Sequence, residues 1–150
     1  MKPLPHVKLA NEEQRLLCAK LGIAVENVSI GVAYAHIQET IDRLFWTTPN
    51  EMPTPKQVAL AAQFGYDISG VSRHIGNAVI WDLMYELNME MIERECLAPG
   101  VKVKNIHDPL GWTHTISSIR KDGTVFFKGG NGRRAWARSL RRVENEANKV

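Results

Sequence analysis

The fold of this chain is decided by residues 101–143, which read VKVKNIHDPLGWTHTISSIRKDGTVFFKGGNGRRAWARSLRRV. The stretch holds ten Lys or Arg residues against two Asp residues, a net charge of +8. The whole chain of 150 residues carries only +3, so the residues outside the stretch sum to −5. A strongly basic segment joined to a mildly acidic remainder predicts a surface for polyanions more than a catalytic site.

The same stretch shows the two-residue period of short β-strands. Residues 101–104 alternate valine and lysine, and residues 113–119 are rich in Thr, Ile and Ser. Asp122-Gly123 predicts a tight hairpin turn, with a strand at 125–127 directly after it. Residues 129–132, Gly-Gly-Asn-Gly, tolerate positive φ and predict a second hairpin loop.

The end of the stretch completes the pattern. Residues 134–138 alternate again, and Ser139-Leu140 predicts a short turn before Val143. Four or five short strands in about forty residues predict a closed small barrel, because closure is how a short sheet removes its edges.

From the basic entry strand to the tryptophan-containing strand, this order of elements resembles the SH3-like and Tudor-like small barrels. It is similar to the barrels appended to bacterial RNA chaperones and to the DNA-binding tail of retroviral-type integrases. Residues 136–143 are the closest part. The resemblance implies a small barrel in the last third of the chain. SH3-like barrels bind either nucleic acid or protein, so both functions stay open.

The chain before this stretch has helical signals. Asn11 and Gln14 predict a capping box, and Gly22 predicts the end of that helix. Ser29 predicts the start of a second helix that runs to about Trp46. Proline and turn formers over residues 47–55 then predict a linker.

A shift of 43 residues repeats this layout. Thr54 and Gln57 predict a capping box, Gly65 a helix end, and Ser72 the start of a helix reaching about Cys96. The identical pairs are Gln14/Gln57, Leu17/Leu60, Ala19/Ala62, Gly22/Gly65, Val28/Val71, Ser29/Ser72, Ala35/Ala78, Ile37/Ile80 and Leu44/Leu87. Composition alone predicts about two identities in such a window, so these nine indicate a tandem repeat.

Each unit of helix, glycine stop, extended link and serine-capped helix resembles the SAP-like, or helix-extended-helix, modules that bind nucleic acid. The resemblance covers residues 11–46 and 54–96. However, residues 1–100 carry eight Lys or Arg against twelve Asp or Glu, which makes a poor phosphate surface. We therefore expect the repeats to pack on each other and to present a face for a protein partner or a homodimer.

The predicted fold class is α+β, with two tandem helix–link–helix repeats followed by a small SH3-like β-barrel. The predicted domains are a helical domain over residues 1–97 with two 43-residue repeats, and a basic barrel with a tail over residues 98–150.

Trp136 is open to two interpretations. Arg134, Trp136 and Arg138 alternate, so on an unbroken strand they share one face, with Ala135 and Ala137 on the other. The ring is either a filler of the barrel core or a half-exposed platform for base stacking, flanked by arginines that hold phosphate. The predicted nucleic-acid-binding residues are Lys128, Arg133, Arg134, Trp136, Arg138, Arg141 and Arg142.

The last predicted helix has more apolar residues than one face needs. Trp81, Tyr85 and Met89 widen its apolar stripe. Either the first repeat covers them as core, or they form a contact with a protein partner or a second copy of the chain.

Patterns for chemistry are sparse. The histidines have no metal-ligand spacing; an acid–base or metal site would fall at His107-Asp108 and His114, although histidines in loops are more often solvated. No nucleophile motif and no phosphate-cradling loop stands out. Cys18 and Cys96 predict free thiols. No secretory signal or membrane-spanning run is predicted either, so we expect a cytoplasmic protein without a membrane partner.

We therefore expect a nucleic-acid-binding accessory or regulatory protein, without a cofactor or metal and without enzyme activity. The sequence leaves DNA and RNA equally open. The alternative is a protein-binding adaptor or inhibitor, for example of a nucleic-acid-processing enzyme. A third hypothesis is an enzyme of a type that no pattern indicates.

Overall fold

A computed structural model describes residues 2–45, 51–129 and 131–143 of the chain. The fold is α+β, as predicted: four helices precede a five-stranded antiparallel sheet. The helices are α1 (Glu12–Lys20), α2 (Ile30–Phe45), α3 (Pro55–Gln63) and α4 (Arg73–Arg94). The strands are β1 (Lys102–Asn105), β2 (Thr113–Ile119), β3 (Thr124–Phe127), β4 (Arg134–Trp136) and β5 (Leu140–Arg142). Contacts divide the chain into two compact units, Met1–Leu83 and Met84–Val150.

Capping boxes start the first helix of each pair, as the sequence predicts. At α1, the Asn11 side chain accepts the Gln14 N–H at 2.8 Å, and the Gln14 side chain accepts the Asn11 N–H at 3.1 Å. Thr54 and Gln57 form the equivalent pair of hydrogen bonds at α3. Each box satisfies two backbone donors that a helix start otherwise leaves without a partner.

Serine caps start the second helix of each pair. The Ser29 hydroxyl oxygen accepts the Val32 N–H at 3.0 Å. The Ser72 hydroxyl oxygen accepts the Ile75 N–H at 3.2 Å. These are the start signals that the sequence indicated for α2 and α4.

The helix ends also follow local chemistry. Gly22 and Gly65 adopt φ values of 72° and 79° just after α1 and α3, where a left-handed residue ends a helix. The end of α4 comes two residues before the expected Cys96, which itself has a φ of 51°. Trp46 and the first part of the predicted linker, residues 46–50, lie outside the described residues.

α1 and α3 each have nine residues and start 43 positions apart. This spacing is the shift that superimposes the two halves of the sequence. Shared caps and shared helix bounds agree with a tandem repeat, and the repeat itself stays a prediction.

The first unit has a small core and a half-buried polar contact between α4 and the start of α2. Its fully buried side chains include Cys18 and Leu83. The Ser29 hydroxyl donates to Asp82 Oδ2 at 2.5 Å, which places a carboxylate from α4 at the start of α2. Burial raises the pKa of Asp82, and the hydrogen bond from Ser29 partly offsets this effect.

Both cysteines are free thiols, as the sequence predicts. Cys18 is buried, and burial raises the pKa of its thiol. In the described part of the chain, no helix combines the length and the apolar character needed to cross a membrane.

The second unit is built on the sheet, whose strand order is β4-β3-β2-β1-β5. Every neighbouring pair is antiparallel. β4 and β5 are the two edges, so the sheet is open among the described residues, and the closed barrel that we expected is not seen. A 3₁₀ turn, Ala137–Ser139, joins these edge strands. Leu140, which we expected in a turn, begins β5 and pairs with Asn105.

One apolar cluster holds the second unit together. Val103, Ile116, Val125 and Leu140 come from four different strands, and each is completely buried. Ile92, from the end of α4, packs against them. Burying one such aliphatic side chain contributes about 1.5–3 kcal/mol.

The amide of Asn88, on α4, fixes two loops of the second unit. Its Nδ2 donates to the Asp122 carbonyl at 3.3 Å, and its Oδ1 accepts the Arg138 N–H at 3.0 Å. Gly123 lies against the same side chain with a φ of 92°, and a Cβ there would come within 2.5 Å of Asn88 Cβ. Only glycine therefore fits this turn.

Candidate nucleic-acid interface

Strand register divides the sheet side chains into two faces. The buried residues Val103, Ile116, Val125 and Leu140 define the inner face. Because side chains alternate along a strand, their neighbours in register point to the other side, which we call the outer face. Its residues are Lys102, Lys104, Thr113, Thr115, Ser118, Thr124, Phe126, Lys128, Arg134, Trp136 and Arg141.

Five cations lie on the outer face, and none of its residues is acidic. On one half, Lys104 is opposite Thr113 on one side and opposite Arg141 on the other. Lys128 extends this half, because its N–H donates to the Thr115 carbonyl at 2.8 Å. Adjacent strands are about 4.8 Å apart, so these cations are spaced closely enough to contact a single polyanion.

The other half of the outer face combines arginines with aromatic rings. Phe126 is opposite Arg134 in the β3–β4 ladder. The Arg120 Cζ lies 4.7 Å from the centroid of the Phe126 ring, and the Arg138 Cζ lies 5.1 Å from the centroid of the Trp136 ring. Both distances are those of cation–π contacts. A groove of ≈ 440 Å³ runs beside them, lined by Arg120, Asp122, Thr124, Arg134, Ala135 and Trp136.

Arg138 does not share a strand face with Arg134, so that prediction is wrong. β4 ends at Trp136, and the chain then turns so that Ala137 is completely buried. Ala135 and Ala137 share one side, as expected, and it is the side of the core.

The contacts of Arg138 are those of a residue that stabilises the fold. Its N–H donates to Asn88 Oδ1 at 3.0 Å, and its Nη1 lies 3.5 Å from the same oxygen. Its carbonyl accepts the Arg141 guanidinium at 3.0 Å. Burial lowers the pKa of Arg138 from its ordinary value. These contacts make Arg138 a residue that holds the turn in place.

The seven predicted binding residues therefore separate into two groups. Lys128, Arg134, Trp136 and Arg141 lie on the outer face. Arg133 is exposed in the β3–β4 loop, Arg138 is in the 3₁₀ turn, and Arg142 pairs with Val103, which gives it the inner-face register at the sheet edge.

Trp136 is half-buried and belongs to the outer face. The aromatic residue in the core cluster is Phe127. The role of Trp136 as a stacking platform stays a prediction.

Sequence reasoning did not select Lys102, Lys104 or Phe126 as site residues. The alternation over residues 101–104 did place both lysines on one strand face. The sequence alone does not show the strand pairing that brings this face beside Arg141 and Lys128.

The predicted partner-binding residues differ in exposure. Trp81, in the first unit, is 67% exposed, so the first unit does not cover it as core. Tyr85 and Met89, in the second unit, are half-buried.

The loop suggested as an acid–base or metal site has another organisation. The Asp108 carboxylate accepts the N–H groups of Leu110 at 2.9 Å and Trp112 at 3.1 Å. His114 stacks on Phe127, with 4.5 Å between ring centroids. Within residues 2–45, 51–129 and 131–143, no group of three or more His, Cys, Asp or Glu residues is placed to hold a metal ion.

No protein-family model matches this chain, and neither the curated proteins nor the solved structures contain a match to it.

Proposed function

We propose that this protein binds nucleic acid through the outer face of its sheet and acts as an accessory or regulatory protein. The observation that carries the proposal is the strand register. It collects Lys102, Lys104, Lys128, Arg134 and Arg141 on a face without an acidic residue. Closely spaced Lys and Arg side chains neutralise phosphates and release condensed counterions, which is the main source of affinity for nucleic acid.

The aromatic residues on the same face favour nucleic acid over other polyanions. Phe126 and Trp136 lie among the cations, and each has a guanidinium over its ring. Surfaces that combine a basic track with aromatic rings are typical of single-strand and RNA binding.

We infer an SH3-like arrangement for the second unit. Five short antiparallel strands, the order β4-β3-β2-β1-β5 and a 3₁₀ turn before the last strand support this inference. SH3-like folds bind several kinds of ligand, so the function rests on the residues of the outer face.

A salt series tests the function. Lys102→Ala/Lys104→Ala/Arg134→Ala removes three exposed cations from the outer face. Binding of the full chain to fluorescein-labelled dT15, U15 and a 15-base-pair duplex is measured by anisotropy between 50 and 300 mM NaCl. On single strands, each lost phosphate contact reduces the slope of log K against log [salt] by about 0.7, so we expect a reduction of about 2.

The matched control is Lys8→Ala/Arg15→Ala/Lys56→Ala. It removes three exposed cations from the first unit, and both variants bring the net charge from +3 to 0. We expect the control to keep the wild-type slope. Equal slopes in the two variants, or no binding by the wild type to any of the three probes, would refute the proposed function.

The alternative function is a protein-binding adaptor or inhibitor. The exposed ring of Trp81 is the observation that favours it, since tryptophan is enriched at protein interfaces. A complex with one protein that persists at high salt and is lost in Trp81→Ala would support this alternative.

A further inference from the structure

The loop between β1 and β2, residues 106–112, exposes three large apolar side chains. Ile106 is 53% exposed, Leu110 77% and Trp112 65%. Such a loop at the end of two strands of a basic sheet is a candidate binding element.

Hydrogen bonds fix the shape of this loop. The Ile106 N–H donates to the Ser139 carbonyl at 2.9 Å, and the Gly111 N–H donates to the Asp108 carbonyl at 3.2 Å. The Asp108 carboxylate accepts the N–H groups of Leu110 and Trp112. The backbone that carries the Trp112 ring is therefore held in place, which lowers the entropy lost when a ligand orders the ring.

Trp112 is the loop residue next to the start of β2, whose partner strand β1 carries cations of the outer face. It directly precedes Thr113, which is opposite Lys104, and Lys104 is opposite Arg141. The row from Thr113 to Arg141 crosses two strand spacings, about 10 Å.

The aromatic residues of the outer face itself are less available than Trp112. Phe126 and Trp136 are half-buried, and each has an arginine over its ring. A free ring face is what base stacking needs, and Trp112 has the greater exposure.

We propose that Trp112 is a base-stacking residue in the loop beside the outer face and that its ligand is single-stranded nucleic acid, with Lys104 and Arg141 holding the adjoining phosphates. This inference rests on the proposed function. A duplex keeps its bases stacked on each other, and separating a base step costs a few kcal/mol. A single strand offers free base faces to an exposed indole, so it is the preferred ligand.

The test compares Trp112→Ala, Trp112→Phe and the control Trp81→Ala in the full chain. Trp81 has almost the same exposure as Trp112, 67% against 65%. Affinity for dT15 and for the matched duplex is measured by anisotropy, and folding is checked by circular dichroism. We expect Trp112→Ala to bind dT15 about 5-fold to 150-fold more weakly, the range for loss of one stacked base.

The remaining expectations separate stacking from charge. Trp112→Phe keeps an aromatic ring and most of the affinity. Trp112→Ala keeps the wild-type salt slope, because no cation is removed. Trp81→Ala binds like the wild type, and the wild type prefers dT15 to the duplex.

The inference is overturned if Trp112→Ala binds dT15 as the wild type does, or if the wild type prefers the duplex. In both cases the proposed function survives as long as the Lys102/Lys104/Arg134 variant still loses salt-dependent binding. A protein partner that requires Trp112, together with unchanged dT15 affinity, would assign the loop to protein binding and also overturn the inference.

Discussion

A single buried amide, that of Asn88, satisfies backbone groups in two separate loops of the second unit. It donates to the Asp122 carbonyl and accepts the Arg138 N–H. Asn88→Ala leaves both backbone groups without this partner, so we expect the free energy of unfolding to fall by about 2–4 kcal/mol. Urea denaturation followed by circular dichroism measures the loss.

The control for this substitution is Asn77→Ala on the same helix. Asn77 is exposed, and among the side-chain contacts of the described residues its side chain bonds only Gln57, in an exposed hydrogen bond. We expect a change within about 0.5 kcal/mol. Equal losses in the two variants would show that Asn88 does not hold the loops.

Asp82 gives the stability a dependence on pH. Burial raises the pKa of its carboxyl, so the folded protein favours the neutral form. The stability from this group is present below its unfolded pKa and is lost as the pH rises through the folded pKa. Asp82→Asn stays neutral and keeps an acceptor for Ser29. We therefore expect its free energy of unfolding, relative to the wild type, to increase from pH 4 to pH 7 in urea titrations.

Asp67→Asn is a control for which the pH dependence of stability has the opposite sign. Hydrogen bonds from the Ser69 hydroxyl and N–H lower the pKa of Asp67. Its contribution is present above the unfolded pKa and is lost as the pH falls through the folded pKa. The relative stability of Asp67→Asn should therefore fall as the pH rises, and the same trend in both variants would contradict the assignment for Asp82.

Residue-scale predictions succeeded where the partners are close in sequence. Asn11 and Ser29 bond backbone groups three residues away, so their capping roles could be read from the chain itself. The partners of Asn88 lie 34 and 50 residues away. No local pattern indicates such contacts, because they depend on how α4 meets the sheet within the second unit.

At the scale of elements, the end of β4 separates two arginines that the sequence pattern grouped together. Arg134 is exposed on the strand, whereas Arg138 is half-buried in the 3₁₀ turn and bonds Asn88. We expect Arg134→Ala to weaken oligonucleotide binding and flatten the salt slope without changing thermal stability. Arg138→Ala should lower the melting temperature, because it removes the guanidinium that packs on Trp136.

Thermal melts and anisotropy titrations on the same two variants check this separation. Arg142→Ala is a suitable third variant, since Arg142 is exposed but has the inner-face register. It should leave the melting temperature unchanged and reduce binding less than Arg134→Ala does. A shared loss of binding without a loss of stability in Arg134→Ala and Arg138→Ala would restore the original grouping.

The strands themselves were predictable, and their pairing was not. Alternation over residues 101–104 and the Asp122-Gly123 turn marked β1 and the β2–β3 hairpin correctly. The alternation over residues 134–138 fits an unbroken strand as well as a strand followed by a 3₁₀ turn, so the pattern does not distinguish the two structures. Lys104 lies beside Arg141 because two strands that are far apart in sequence pair with each other. The outer face could therefore be recognised only from the strand register.

For the whole molecule, the charge partition read from the sequence anticipated where the basic face lies. The +8 of residues 101–143 falls in the second unit, and the strand register concentrates part of it on one face. Sheet closure was wrongly expected, because strand number alone does not require β4 to pair with β5. In the second unit, residues of α4 and of the 3₁₀ turn pack against the open sheet and cover its core.

Trp81 tests whether the two candidate functions are separable, because it lies in the first unit and the outer face lies in the second. We expect Trp81→Ala to keep the wild-type oligonucleotide affinity and a free energy of unfolding within about 0.5 kcal/mol, since the side chain is 67% exposed. We also expect an unchanged sedimentation coefficient in 0.5 M NaCl, because one ring buries far less than the roughly 1,000 Å² that a stable interface needs. The Lys102→Ala/Lys104→Ala/Arg134→Ala variant should lose oligonucleotide binding and sediment as the wild type does. A lower sedimentation coefficient in Trp81→Ala alone would instead place Trp81 in a contact between copies of the chain and would favour the protein-binding alternative.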